Sequence, residues 1–261
     1  MAMEDQHSAS GDSVLPPAAE GGLRHWYASH LGRALLAAER EALDRVLPDL
    51  FGYYLVQVGA PCDEYLLDAS LIRRQLVIGD VVSGTAGADE RVLLMRAWPC
   101  LLPLRNDSVD VVLLPHTLDF ERSPHDVLRE AERVLVPEGH LVILGFNPWS
   151  LWGARRLFTW RRRRAPWSGS FRGSSRIRDW LALLGFDVVL ARSCFFRPPV
   201  RHAGLMRRLQ WLESLGARRW PYLGGTYIIV ARKRVATLTP IKPRWRPRRS
   251  LVGAGAIKPT A

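Results

Sequence analysis

The sequence has 261 residues, is 48% hydrophobic and carries a formal net charge of +12, which suffices for one well-packed domain with tails. No apolar run approaches the roughly 18–20 residues of a membrane-crossing helix. The acidic start is no secretory signal, and the widely spaced Cys62, Cys100 and Cys194 form neither a disulfide framework nor a zinc pattern, so a reduced cytoplasmic setting and no metal are expected.

Residues 1–22 are small and polar and read as disordered. Between His25 and Leu47, apolar residues recur at helical spacing (Leu31, Ala34, Leu35, Ala38, Ala42, Val46) until Pro48. The run Tyr53–Gly59 predicts a buried strand ending in a glycine turn. A helical link (Glu64–Ile72), a strand (Gln75–Ile78, then Gly79-Asp80) and a third strand (Arg91–Met95) follow. Val109–Leu114 is β-branched and apolar, as in a parallel sheet buried on both faces. Ser123-Pro124 opens a helix with Ser as N-cap and Val127, Leu128, Ala131, Val134 and Leu135 on its apolar face; Pro137 and Gly139 stop it before the strand His140–Gly145. A further helix after Ser175 closes at Gly185, and Asp187–Ala191 and Tyr227–Ala231 are the last strands. Strands alternating with helices give an α/β class with a mostly parallel sheet.

The stretch Leu102–Gly153 contains Leu102-Pro103-Leu104, Val109-Asp110-Val111, His116-Thr117-Leu118, Pro124 to Glu130, Arg133-Val134-Leu135 and Pro137-Glu138-Gly139. In order and spacing it resembles the second half of a class I S-adenosylmethionine-dependent methyltransferase of the type 11 group. The resemblance implies a Rossmann-like, mostly parallel seven-stranded sheet with the last strand antiparallel, and S-adenosylmethionine as cofactor. It divides the chain into a disordered start (1–22), a methyltransferase-like domain (23–235) with a basic, aromatic insertion at about 149–173, and a basic Pro/Arg-rich tail (236–261).

The cofactor half departs from the family pattern. Where a Gly-x-Gly-x-Gly turn is expected, the run is Gly59-Ala60-Pro61-Cys62-Asp63, which keeps one glycine and loses an amide donor at Pro61. By the resemblance, Gly59 lies against the methionine moiety, Asp80 is the candidate for the ribose hydroxyls, and Trp98 either stacks on adenine or is a buried structural tryptophan. His116 and Asp119 follow a strand at the edge where such sheets bind ligands, and are the catalytic candidates; the plainer alternative is that His116 caps the strand. Asn147-Pro148-Trp149 resembles the signature of adenine amino-group methyltransferases but follows the wrong strand, so it is read as shaping a substrate-side loop.

Charge is unevenly divided. Residues 1–150 hold 12 Arg and 22 acids, a net of 12 − 22 = −10, whereas residues 151–261 hold 25 Lys+Arg and 3 acids, a net of 25 − 3 = +22. Arg161, Arg162, Arg163 and Arg164 interleave with aromatics, a pattern suited to nucleic acid or an anionic membrane surface; a solvated charged face is the alternative. Two functions stay open: a methyltransferase of unknown acceptor, or a catalytically silent methyltransferase-fold protein acting as a nucleic-acid-binding or interaction module.

Overall fold

The computed structural model describes residues 18–62, 65–79, 91–159, 165–200 and 203–234. Helices α1 (Ala18–Tyr27) and α2 (His30–Asp44) are followed by a 3₁₀ turn (Leu47–Asp49). Strands β1 (Tyr54–Val58), β2 (Arg74–Ile78), β3 (Val92–Met95) and β4 (Val109–Pro115) come next, then α3 (Thr117–Phe120), α4 (Pro124–Val134) and β5 (Leu135–Phe146). The chain continues through α5 (Leu151–Thr159), α6 (Ser174–Leu183), β6 (Phe186–Cys194), α7 (Ala203–Arg208), α8 (Trp211–Arg219) and β7 (Thr226–Lys233).

The seven strands form one sheet in the order β3-β2-β1-β4-β5-β7-β6. Strands β1 to β5 pair in parallel. β7 runs antiparallel to both β5 and β6, so the expected Rossmann-like class I methyltransferase fold is the one observed. Alternation along the strands sends Leu55, Val111, Leu113, Val142 and Leu144 into a core shared with α1 and α2. Val56, Val112, Leu114, Leu141 and Ile143 face a second core closed by α4 and α6. Period-2 strands that are apolar on both faces require this three-layer arrangement.

Asp110 is the polar exception in β4, and its carboxylate accepts the N–H groups of Tyr53 and Tyr54 at 2.8 and 2.9 Å, tying the entrance of β1 to β4. The Glu130–Arg133 pair on α4 clamps the Leu-Pro segment: Glu130 accepts the Leu102 N–H at 3.0 Å, while Arg133 donates to the carbonyls of Leu102 and Leu104 at 2.9 Å each.

Several expectations need correction. The single helix from His25 is two helices, broken where the Ser29 hydroxyl accepts the Gly32 N–H and caps α2. α1 already begins at Ala18, within the stretch expected to be disordered, because Leu23 and Tyr27 anchor it in the core. Residues 65–72 are turns rather than helix, since the Gln57 and Gln75 amides occupy their backbone groups: Gln57 accepts the Leu66 N–H at 3.1 Å and Gln75 donates to the Ile72 carbonyl at 3.0 Å. Ser123 makes no side-chain cap; its carbonyl accepts the N–H of Asp126 instead. β5 starts before His140, with residues 136–139 bulging out of its ladder with β4 through a left-handed Glu138. The Arg-rich connection before β7 contains α7 and α8.

Candidate functional site

Strand order reverses direction at β1, so the C-terminal ends of β1 and β4 form the switch point at which open α/β sheets bind ligands. Gly59 leaves β1 there with φ 95°, a conformation that favours glycine. Its N–H donates to the Ile78 carbonyl at 2.6 Å. A Cβ at this position would lie 2.7 Å from Thr117 Oγ1, whose hydroxyl donates to the Val58 carbonyl. Ala60 and Cys62, beyond the turn, are buried in the core under α1 and α2 rather than forming an open loop.

At the end of β4, His116 is fully buried and adopts left-handed φ 56°. For a non-glycine residue that conformation costs about 1–2 kcal/mol. Two charged partners offset it: Nε2 faces Glu39 Oε1 at 2.8 Å and Nδ1 faces Asp119 Oδ2 at 3.2 Å. Tyr27 donates to the other Glu39 oxygen at 3.0 Å, and the Phe146 N–H donates to Asp119 Oδ2 at 2.8 Å. Burial pulls the imidazole pKa down, but the Glu39 charge and the hydrogen bonds that the ring donates to both carboxylates prevail and lift it to about 9. With a carboxylate on each ring nitrogen, His116 is a charged, doubly donating imidazolium at neutral pH. These two contacts tie the end of β4 to α2 and to α3.

Asp119 Oδ1 is buried and has no hydrogen-bond partner. A strap at residues 165–173 passes over α3, where the Ser170 N–H donates to the Asp119 carbonyl at 2.6 Å and Arg172 donates to the Leu118 carbonyl. Burial lowers the Arg172 pKa, which the Asp119 charge partly opposes. The Tyr227 hydroxyl is pushed well above its ordinary value by burial and by Asp119.

The structure thus brings Gly59, His116 and Asp119 to one edge of the sheet. Trp98 stands in the loop after β3 at the same edge, 39% exposed, so the buried structural reading does not hold for it. Asp80 and Arg161–Arg164 lie outside the described residues. Part of the aromatic insertion is core: Trp152 and Phe171 are buried and ring-packed with Phe146, whereas Trp149 is exposed. Asn147 shapes a loop as expected, its amide donating to the carbonyls of Tyr222 and Gly224 at 2.7 and 2.9 Å.

Sequence reasoning missed Glu39 and Tyr27. Glu39 lies four residues beyond Leu35, on the buried stripe of α2, and an acid in an apolar stripe was the available signal.

A family model described as "Methyltransferase domain" matches residues 83–143. The uncharacterized protein YafS of Escherichia coli K12 is 36% identical over 223 residues, covering 82% of this chain and 86% of that protein. The chain belongs to one family with YafS, and within it residues 83–143 match the methyltransferase domain. The fold agrees. A chain from the complex with the Haloferax volcanii Trm112 methyltransferase activator aligns with a TM-score of 0.58 at 18% identity, over 84% of this chain and 94% of that one. Geranyl diphosphate C-methyltransferase from Streptomyces coelicolor, solved with S-adenosyl-L-homocysteine, aligns with a TM-score of 0.53 at 15% identity, over 78% and 80%. The methyltransferase-domain match, with S-adenosyl-L-homocysteine in one structural neighbour, indicates S-adenosylmethionine as the cofactor.

The residues present fit that group at two points. The left-handed Gly59 presents bare backbone where a Cβ has no room. Asp119 Oδ1 is a buried acceptor without a hydrogen-bond partner, and its carboxylate puts negative charge behind that turn. Among the described residues, no cluster of His, Cys, Asp or Glu could hold a metal, and no helix is long and apolar enough to cross a membrane.

Proposed function

We propose that the chain transfers a methyl group from S-adenosylmethionine to an acceptor that reaches the C-terminal edge of the sheet between β1 and β4, in the cytoplasm. The observation that carries this reading is the Gly59 turn at the strand-order switch, with Thr117 and the charged His116 beside it. Gly59, Asp80 and Trp98 hold the cofactor, which supplies an activated methyl group when bound. The chain's own part is orientation, because methyl transfer from a sulfonium is an in-line displacement that depends mainly on alignment. Asp119 and Glu39 place negative charge at this edge, which favours a cationic donor, and His116 keeps the two carboxylates from repelling each other.

Calorimetric titration with S-adenosylmethionine and S-adenosylhomocysteine tests this. Saturable binding that is weakened by Trp98→Ala and lost in Gly59→Val is expected, with folding checked by circular dichroism because the added side chain also crowds Thr117. No heat and no thermal shift at millimolar ligand overturns the reading. The burial of Ala60 and Cys62 and the missing amide at Pro61 favour a second reading, a methyltransferase-fold module that binds without turnover. Release of S-adenosylhomocysteine in the presence of cell extract separates the two.

A further inference from the structure

Two loops at the C-terminal edge of the sheet are clasped together, and both end in exposed apolar side chains. One follows β5 and carries Trp149 and Leu151; the other precedes β7 and carries Trp220, Tyr222 and Leu223. Asn147 joins them through its amide bonds to the Tyr222 and Gly224 carbonyls, while its own N–H donates to the Gly225 carbonyl at 2.9 Å. Trp149 and Tyr222 are each 78% exposed, so the clasp fixes the backbone and leaves both rings in solvent. Fixed, contiguous apolar tips of this kind mark an interaction surface.

The sequence that carries them is strongly basic. Residues 147–225 contain 16 Arg and three acids. Of those acids, Glu213 is bound to Arg197 and to the Phe196 N–H. Arg218 and Arg219 end α8 immediately before Trp220, and Arg176 lies one turn into α6, whose N-cap Gly173 abuts Trp149. All three guanidinium groups are exposed and have no acidic partner among the described residues.

We propose that this edge docks on an anionic lipid bilayer, with Trp149, Leu151, Trp220, Tyr222 and Leu223 entering the interface and Arg176, Arg218 and Arg219 meeting the headgroups. Tryptophan and tyrosine are the side chains that favour the headgroup level of a membrane, and arginines beside them add attraction to anionic lipids. The leucines decide against nucleic acid, because a base stacks on a ring and gains nothing from an exposed aliphatic chain. Docking here turns the β1–β4 edge toward the bilayer. The proposal does not depend on methyl transfer, since binding is read without turnover.

The full chain is sedimented with vesicles of phosphatidylcholine alone and of phosphatidylcholine with phosphatidylglycerol. Binding to the anionic vesicles only, weakened by salt, is expected. It falls about tenfold in Trp149→Ser/Tyr222→Ser, and Arg218→Glu/Arg219→Glu lowers it as a second, chemically distinct variant. Phe51→Ser/Tyr53→Ser removes exposed aromatics at the opposite edge, before β1, and leaves binding unchanged. No binding to anionic vesicles at low salt overturns the proposal, as does equal binding by the parent and both edge variants. If single-stranded RNA displaces the protein from vesicles and the aromatic variant weakens RNA binding equally, the surface is a nucleic-acid site and the lipid assignment fails.

Discussion

Glu39→Gln keeps the shape of the buried side chain on α2 but removes the charge that most raises the His116 pKa. The imidazole titrates at about 9 in the folded chain against an ordinary 6.5, a gap worth about 3 kcal/mol. Because the folded value is the higher one, the native state keeps its proton between those limits while the unfolded state loses it. Stability from this source is therefore complete below about pH 6.5 and is lost as the pH rises through about 9. His116 is fully buried, so solvent does not screen the effect. In a domain of this size 3 kcal/mol corresponds to roughly 6–12 °C in Tm. Urea denaturation of parent and variant at about pH 6 and about pH 10 measures it. The parent should lose more stability than the variant across that range, with about 3 kcal/mol as the upper bound because Asp119 still supports the proton in the variant. If the two pH profiles run parallel, the Glu39–His116 pair does not hold the proton and the reasoning fails.

Asn147→Ala deletes three side-chain hydrogen bonds, two to the Tyr222 and Gly224 carbonyls and one from the Trp149 N–H, and should cost about 3 kcal/mol, with faster proteolysis between residues 220 and 224; a change below about 0.5 kcal/mol would show that the loops hold without the clasp. Gly32→Ala places a Cβ 2.3 Å from the Trp26 carbonyl oxygen, so α1 must move off α2; hydrogen exchange should rise in α1 and the Tyr27–Glu39 bond should be lost. Glu130 is held below its ordinary pKa, first by the Arg133 hydrogen bond, so its contribution is present above the usual carboxylate range and is lost as the pH falls through the lowered value. Acid titration of Arg133→Met should show that loss at higher pH than the parent.

The centre of the fold was legible because there local chemistry and tertiary packing agree. Val109–Leu114 is a strand by composition and is buried on both faces, and Pro124 sits at the first turn of α4 as its fixed φ favours. The division of the first helix was not legible. Leu23, Tyr27, Leu31 and Leu35 continue one helical spacing across the break, and only the Ser29 hydroxyl ends one helix and starts the next. The candidate site was half legible. His116 and Asp119 could be placed from the strand before them, but their common charge depends on Glu39, 77 residues earlier in the chain, and no local pattern carries that contact. Asn147 was recognised as loop-shaping, although its partners at Tyr222 and Gly224 follow only from the way β7 lies beside β5.

The last strand occupies an inner slot of the sheet. Among the described residues, β6 pairs only with β7, and β5 finds its second neighbour only in β7. During synthesis the ribosome therefore releases β5 with an open edge and β6 with nowhere to pair, until residues 226–233 emerge and join them. Non-local pairing of this kind is slow and leaves apolar edges exposed meanwhile. Truncation within β7 would thus disconnect β6 and uncover β5 together, and nascent chains stalled before Thr226 should be held by chaperones rather than folded.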